Sequence, residues 1–211
     1  MFAIRPAAPR RHLVLSVALA ATCVSMSTFG TASASPSREE LKGTITVSAA
    51  ASLTDAFGAI GKAFRAQNPK VKVRFNFASS GTIVTQVTSG APADVVAFAD
   101  LSSMDRLVSS GNVAVAPTIF ARNSMAIVVK PGNPLKVDSV ADLAEVGVVS
   151  LCVATAPCGA YAGAVLKRAG VSVNERNVTR GTDVKSTLAQ VTNGDAQAAI
   201  VYVSDVKAAG K

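Results

Sequence analysis

Short apolar runs, each ending in small or hydroxyl-bearing residues and each followed by a helical repeat, constrain this chain more than any other feature. Residues 43–51 (GTITVSAAA) form the first run. Leu53, Phe57, Ile60 and Phe64 then recur at the spacing of one helix face, which predicts a helix over 53–67 stopped by Asn68 and Pro69. Val71, Val73, Phe75 and Phe77 alternate with Lys72, Arg74 and Asn76, the pattern of a strand with one drier face. Next come a short helix over 82–88, a buried strand over 93–99 and a helix over 101–109. Residues 119–129 read as extended chain, broken by Pro131, Gly132, Asn133 and Pro134. Beyond them lie a short helix at 140–145, a strand at 148–154, helices at 159–169 and 184–192, and a last apolar strand at 198–203, with 207–211 trailing off. Repeated βα units with continuous apolar strands predict an α/β fold with helices on both faces of the sheet.

The residues just after each strand point to a ligand site. Ser52 and Asp55 have the spacing of a capping box, in which the Ser52 hydroxyl would accept from the Asp55 N–H. Ser79, Ser80, Gly81 and Thr82 make a hydroxyl-rich helix entry. Pro157, Cys158 and Gly159 make another, with Pro157 in or before the first turn. Thr182 or Asp183 is placed to cap the helix that starts at Val184, and Tyr202 lies near the carboxyl end of the last strand. Ligands of open α/β sheets sit beyond the strands' carboxyl ends. Converging helix starts there supply unpaired N–H groups and partial positive charge, an anion site without Lys or Arg. Taken singly, Ser52 and Ser80 read as ordinary caps and Tyr202 as a core aromatic.

Composition removes competing chemistry. The 211 residues hold a single histidine, His12, and no tryptophan. A catalytic triad or a His-rich zinc site would need a histidine farther along. Asp55, Asp94, Asp100 and Asp183 are the nearest candidates for acid–base work, and they read as caps and turn residues, so no enzyme is expected. Hydrophobic residues make up 49% and charged ones 16%, which argues for a packed core over disorder.

The first 34 residues read as an export signal. Arg5, Arg10 and Arg11 precede an apolar run over 13–21, and Ala32-Ser33-Ala34 supplies a cleavage signature. Arg10-Arg11 weakly matches a twin-arginine signal. Cys23 after the apolar run offers a lipoprotein alternative, although Thr22 precedes it where such signals usually carry Gly or Ala. The whole chain carries +8, with 21 basic and 13 acidic side chains; the leader holds three of the basic ones and no acid, leaving +5. Lys62, Arg65, Lys70, Lys72 and Arg74 form the densest basic cluster, which reads as a solvated face; no nucleic-acid partner is expected.

Four segments together resemble one family. ITVSAAASLTDAF (45–57), FASSGT (77–82), GAPADVVAFAD (90–100) and IVYVSD (200–205) are similar, in order and spacing, to the molybdate-binding proteins of ABC importers. The resemblance implies a type II periplasmic-binding fold, two α/β lobes closing on an ion. It divides the chain into a signal (1–34), a first lobe (35–122), a second lobe (123–205) and the start of a second hinge (206–211). Members continue past the last strand with a segment that recrosses to the first lobe, so an incomplete first lobe with a bare sheet edge is expected here. The implied ligand is molybdate or tungstate, with no further cofactor, and the implied partner is an ABC permease served by a monomeric receptor in the periplasm or cell envelope. Carried over by motif, the donors are the hydroxyl and N–H groups of Ser52 and Ser80, the N–H groups of Cys158 and Val184, and the hydroxyl of Tyr202. Cys158 departs from the family, whose members often have Ala there; a backbone donor does not depend on its side chain.

A donor-only site has a chemical logic. Molybdate is deprotonated near neutral pH and accepts at all its oxygens, whereas hydrogen phosphate carries a proton that needs an acceptor, at a cost of about 1–3 kcal/mol if none is offered. Sulfate is also proton-free, so a sulfate or other oxyanion receptor of the same fold is the alternative. Cys152 and Cys158 suit an export compartment as a disulfide worth about 2 kcal/mol, with free buried thiols as the other reading.

Overall fold

The computed structural model describes residues 2–4 and 40–210. The cleavage signature, the apolar leader run and Cys23 lie outside the described residues. Two four-stranded sheets form two lobes. The first has the order β1-β4-β2-β3, with β1 (Phe2–Ile4), β2 (Gly43–Ala50), β3 (Val71–Ala78) and β4 (Val95–Ala97). β2 runs parallel to β3, from Gly43 opposite Val71 to Ala50 opposite Ala78, and parallel to β4. The second sheet has the order β5-β8-β6-β7, with β5 (Met125–Val129), β6 (Val149–Cys152), β7 (Val178–Gly181) and β8 (Ala198–Tyr202). β6 runs parallel to β7 and β8, and β5 returns antiparallel to β8.

All but the last of the α-helices follow the strands where the apolar spacing predicts them; the last occupies residues read as strand end and trailing chain. The helices are α1 (Thr54–Gln67), α2 (Ser80–Thr88), α3 (Leu101–Ser109), α4 (Pro157–Ala169), α5 (Val184–Thr192) and α6 (Val203–Ala208). α2 and α3 bury Ile83, Val84, Met104 and Leu107 against Val96 and Phe98. In the second lobe Val149, Leu151, Ala198 and Ile200 pack with Ala162 and Leu143 on one side of the sheet. Its other side packs Val184, Leu188 and Val191 of α5 against Ala199 and Val201, and Ala51 of the first lobe joins that cluster. The lobes are therefore in apolar contact at the strand ends.

Several expectations need correction. Ser52 does not cap α1. It sits inside a 3-10 turn (Ala51–Leu53), Leu53 occupies the N-cap position without a side-chain bond, and Thr54 Oγ1 donates to the Ala51 carbonyl instead. α2 begins two residues earlier than its apolar pattern suggests, because Ser79 is the cap and accepts from the Thr82 N–H at 3.1 Å. β7 escaped the pattern because VTRG offers little apolar signal and is defined by its pairing with β6. The strand ending in Tyr202 stops one residue early: Val203 donates to the Ser124 carbonyl and opens α6. The outer edge of β4 is paired with β1, whose Phe2 lies opposite Ala97; β1 belongs to the expected leader, so this pairing does not bear on the edge expected of the mature first lobe.

Candidate functional site

The carboxyl ends of both sheets face one another and enclose a small cavity. Its walls are Ala50, Ala51, Ser79, Ser80, Ala99, Pro157, Cys158, Asp183, Val184 and Tyr202. Of the expected donors, Ser80, Cys158, Val184 and Tyr202 line it, and Ser52 stands one residue beyond Ala51 in the 3-10 turn. About 10 Å³ is open to a water-sized molecule, roughly the room of one water. A wider cleft of about 370 Å³ lies between residues 87–96 and 111–114, at the opposite end of β4, where no helix starts.

Each helix start is fixed by its own chemistry. Ser80 is the first residue of α2 and almost wholly buried. Its Oγ accepts the Ala99 N–H at 3.0 Å, which leaves its proton to donate elsewhere. Pro157 opens α4, where its missing N–H costs nothing, and Cys158 comes next. A disulfide joins Cys158 to Cys152 at the end of β6, tying that helix start to its sheet. Asp183 caps α5 through a full capping box: its Oδ1 accepts from the Ser186 N–H at 2.9 Å, and Ser186 Oγ accepts from the Asp183 N–H at 3.1 Å. Gly181 permits this turn to press on β7, since a Cβ there would stand 2.6 Å from the Thr187 nitrogen. By position, the N–H groups of Ser80, Cys158 and Val184 fall in the first turns of their helices and have no intrahelical acceptor.

Tyr202 closes the cavity from β8. It is 5% exposed, and its hydroxyl is buried without a hydrogen-bond partner. The Tyr161 ring packs edge-on against it at 6.5 Å. Burial raises the phenol well above its ordinary range, with the nearby Tyr161 and the charges of Asp100 and Asp205 adding to it, so Tyr202 remains a donor. Among the described residues, no Lys or Arg lines the cavity. Asp183 is the carboxylate among its walls, a feature the sequence did not single out as lining, and its Oδ1 is engaged by α5. The arrangement can therefore hold a proton-free anion by neutral donors, beside one wall carboxylate whose Oδ1 is already engaged.

The sequence profile of the family described as bacterial extracellular solute-binding protein matches residues 45–211. The chain belongs to that family. Relatives of this solute-binding protein include the molybdate-binding protein ModA of Mycobacterium tuberculosis (strain H37Rv), 44% identical over 162 residues that cover 76% of this chain and 61% of the relative. ModA of Haemophilus influenzae is 38% identical over 182 residues, covering 77% of this chain and 67% of the relative. The chain thus spans about 61% of the length of the first of these. Among solved structures, the periplasmic molybdate-binding protein of Azotobacter vinelandii shares the fold, with a TM-score of 0.66 at 22% identity over 75% of this chain and 71% of that one.

One cluster beside the site was not foreseen. Lys185, the second residue of α5, makes an ion pair with Asp55 of α1 at 2.5 Å and with Asp205 of α6 at 3.1 Å. Nothing in the sequence signals it, because Asp55 and Lys185 lie 130 residues apart.

Proposed function

We propose that this protein is an exported receptor that captures molybdate or tungstate through neutral hydrogen bonds and hands it to an ABC permease, as a monomer. The observation that carries the reading is the meeting of three helix starts with the buried hydroxyls of Ser80 and Tyr202 on a cavity that, among the described residues, no Lys or Arg lines. Helix N-termini favour anions, and hydroxyls with a proton left to donate complete the donor set. The proposed donors are Ser52 and Ser80 (hydroxyl and N–H), Cys158 and Val184 (N–H) and Tyr202 (hydroxyl). The ModA names of the relatives support molybdate as the ion. Such an ion exceeds the free space of the shut cavity, so entry requires the lobes to part.

Calorimetric titration of the mature protein with molybdate, tungstate, sulfate and phosphate tests the reading. Tight binding of the first two, with sulfate and phosphate much weaker, is the expected result. Equal affinity for sulfate overturns it. Intact mass of the exported protein reads the cleavage site near Ser35 and any lipid on Cys23.

A further inference from the structure

We propose that Asp55 and Lys185 are a latch that holds the two lobes shut over the site, and that the buried Asp205 keeps Lys185 aimed across the cleft. Among the described residues, this ion pair is the one that crosses between the lobes next to the cavity. Asp55 belongs to the first turn of α1, just after the Ala51–Leu53 turn, and Lys185 directly succeeds Val184 at the start of α5. The Lys185 ammonium reaches Asp55 Oδ2 at 2.5 Å and Asp205 Oδ1 at 3.1 Å.

The two carboxylates have different roles by burial. The Asp205 side chain is 0% exposed and lies in the same lobe as Lys185. Both its oxygens are buried without a well-formed hydrogen bond, so the nearby ammonium is what offsets its charge. Burial raises the Asp205 carboxyl above its ordinary range, and Lys185 pulls it back. That partnership persists whether the lobes are open or shut. Asp55, with its side chain 59% exposed, is the partner gained on closing. An exposed ion pair usually contributes little, partly because two flexible side chains must be ordered together. Here one of them is already held in place, so most of that entropy cost is met before closure.

Lys185 and Asp55 are positioning residues: they touch no ligand and act on the closed-to-open ratio. The inference rests on the oxyanion reading only for what the closed lobes trap. Opening itself is read by amide hydrogen exchange of the ligand-free protein, at residues 50–53 and 184–187. Asp55→Asn should speed exchange there about two- to fivefold and leave β3 and β6 unchanged, with Asp55→Glu restoring the slow rate. Raising salt from about 0.05 to about 0.5 M should reproduce the effect in the wild type and not in Asp55→Asn. Molybdate should dissociate faster from Asp55→Asn by the same factor. Cleft exchange unchanged by Asp55→Asn overturns the latch whether or not molybdate binds. Faster cleft exchange in a protein that fails to bind molybdate supports the latch and overturns the receptor reading.

Discussion

The Ser80 hydroxyl accepts the Ala99 backbone N–H at 3.0 Å, and this bond decides what the serine can still do. One lone pair is committed, the side chain is pinned, and the proton is left to donate to a ligand in the cavity. The cap of α2 is a separate residue, Ser79. Ser80→Ala should therefore leave helix content intact while weakening molybdate binding by about 1.5–3 kcal/mol, the range for a bond to a charged partner. Calorimetry together with circular dichroism checks both halves, and unchanged affinity would remove Ser80 from the donor set.

Tyr202→Phe should move stability and affinity in opposite directions. The Tyr202 hydroxyl is buried with no hydrogen-bond partner from the protein, a cost of about 1–3 kcal/mol that Phe avoids. Molybdate would satisfy that hydroxyl, so Phe should bind it less well by about 0.5–1.5 kcal/mol, and by up to about 3 if the charged ion strengthens the bond. A variant that is harder to unfold in urea yet weaker for the ion fits the assignment. Loss of both stability and affinity would make Tyr202 a packing residue.

The contrast between Ser80 and Ser52 shows what the sequence could carry. Local patterns located β2, α3 and α5 well, since each depends on residues within one element. Two adjacent serines both satisfy a capping pattern, and only the backbone of Ser79, extended at φ −62° and ψ 149°, distinguishes the cap from the buried Ser80. Ser52 matched a capping box by spacing, but the 3-10 turn at Ala51 takes it out of the cap position and turns Asp55 toward Lys185. That ion pair, the β1–β4 pairing and the existence of β7 all depend on contacts between distant segments, which periodicity does not encode. The convergence of the helix starts was legible because strand ends of an α/β sheet share one side, while the tightness of the closed cavity was not.

Alkaline pH should destabilise the protein through a small set of groups. Burial first, with the Asp100 charge among the further causes, raises Tyr202 and Tyr161 above the ordinary 10.0. Burial lowers Lys185, but its bonds and charge contacts with Asp55 and Asp205 outweigh this and hold it above 10.5. Each group keeps its proton to higher pH when folded than when unfolded. Their contribution is therefore complete below about pH 10 and is lost as pH rises past it. Urea midpoints of the wild type should fall over that range, and those of Tyr202→Phe should fall less steeply. Because Tyr202 stays protonated, molybdate affinity should be level from about pH 7 to about pH 10. Parallel alkaline slopes for the two proteins would contradict the assignment.

Gly81 tests closure without touching a proposed donor. It is the second residue of α2 in the first lobe, and a Cβ built on it would stand 2.9 Å from the Thr155 carbonyl oxygen of the second. A helix interior tolerates Ala better than Gly by up to about 1 kcal/mol, so Gly81→Ala should leave the first lobe as stable as before or more so. The added methyl meets backbone, which yields less readily than a flexible side chain, and overpacking of this kind costs about 1–3 kcal/mol. That cost falls only on the closed state. Gly81→Ala should thus bind molybdate about 1–3 kcal/mol more weakly, with faster hydrogen exchange at residues 50–53 and an unfolding midpoint no lower than wild type. Undiminished affinity would mean that Gly81 and Thr155 do not meet when the ion is held.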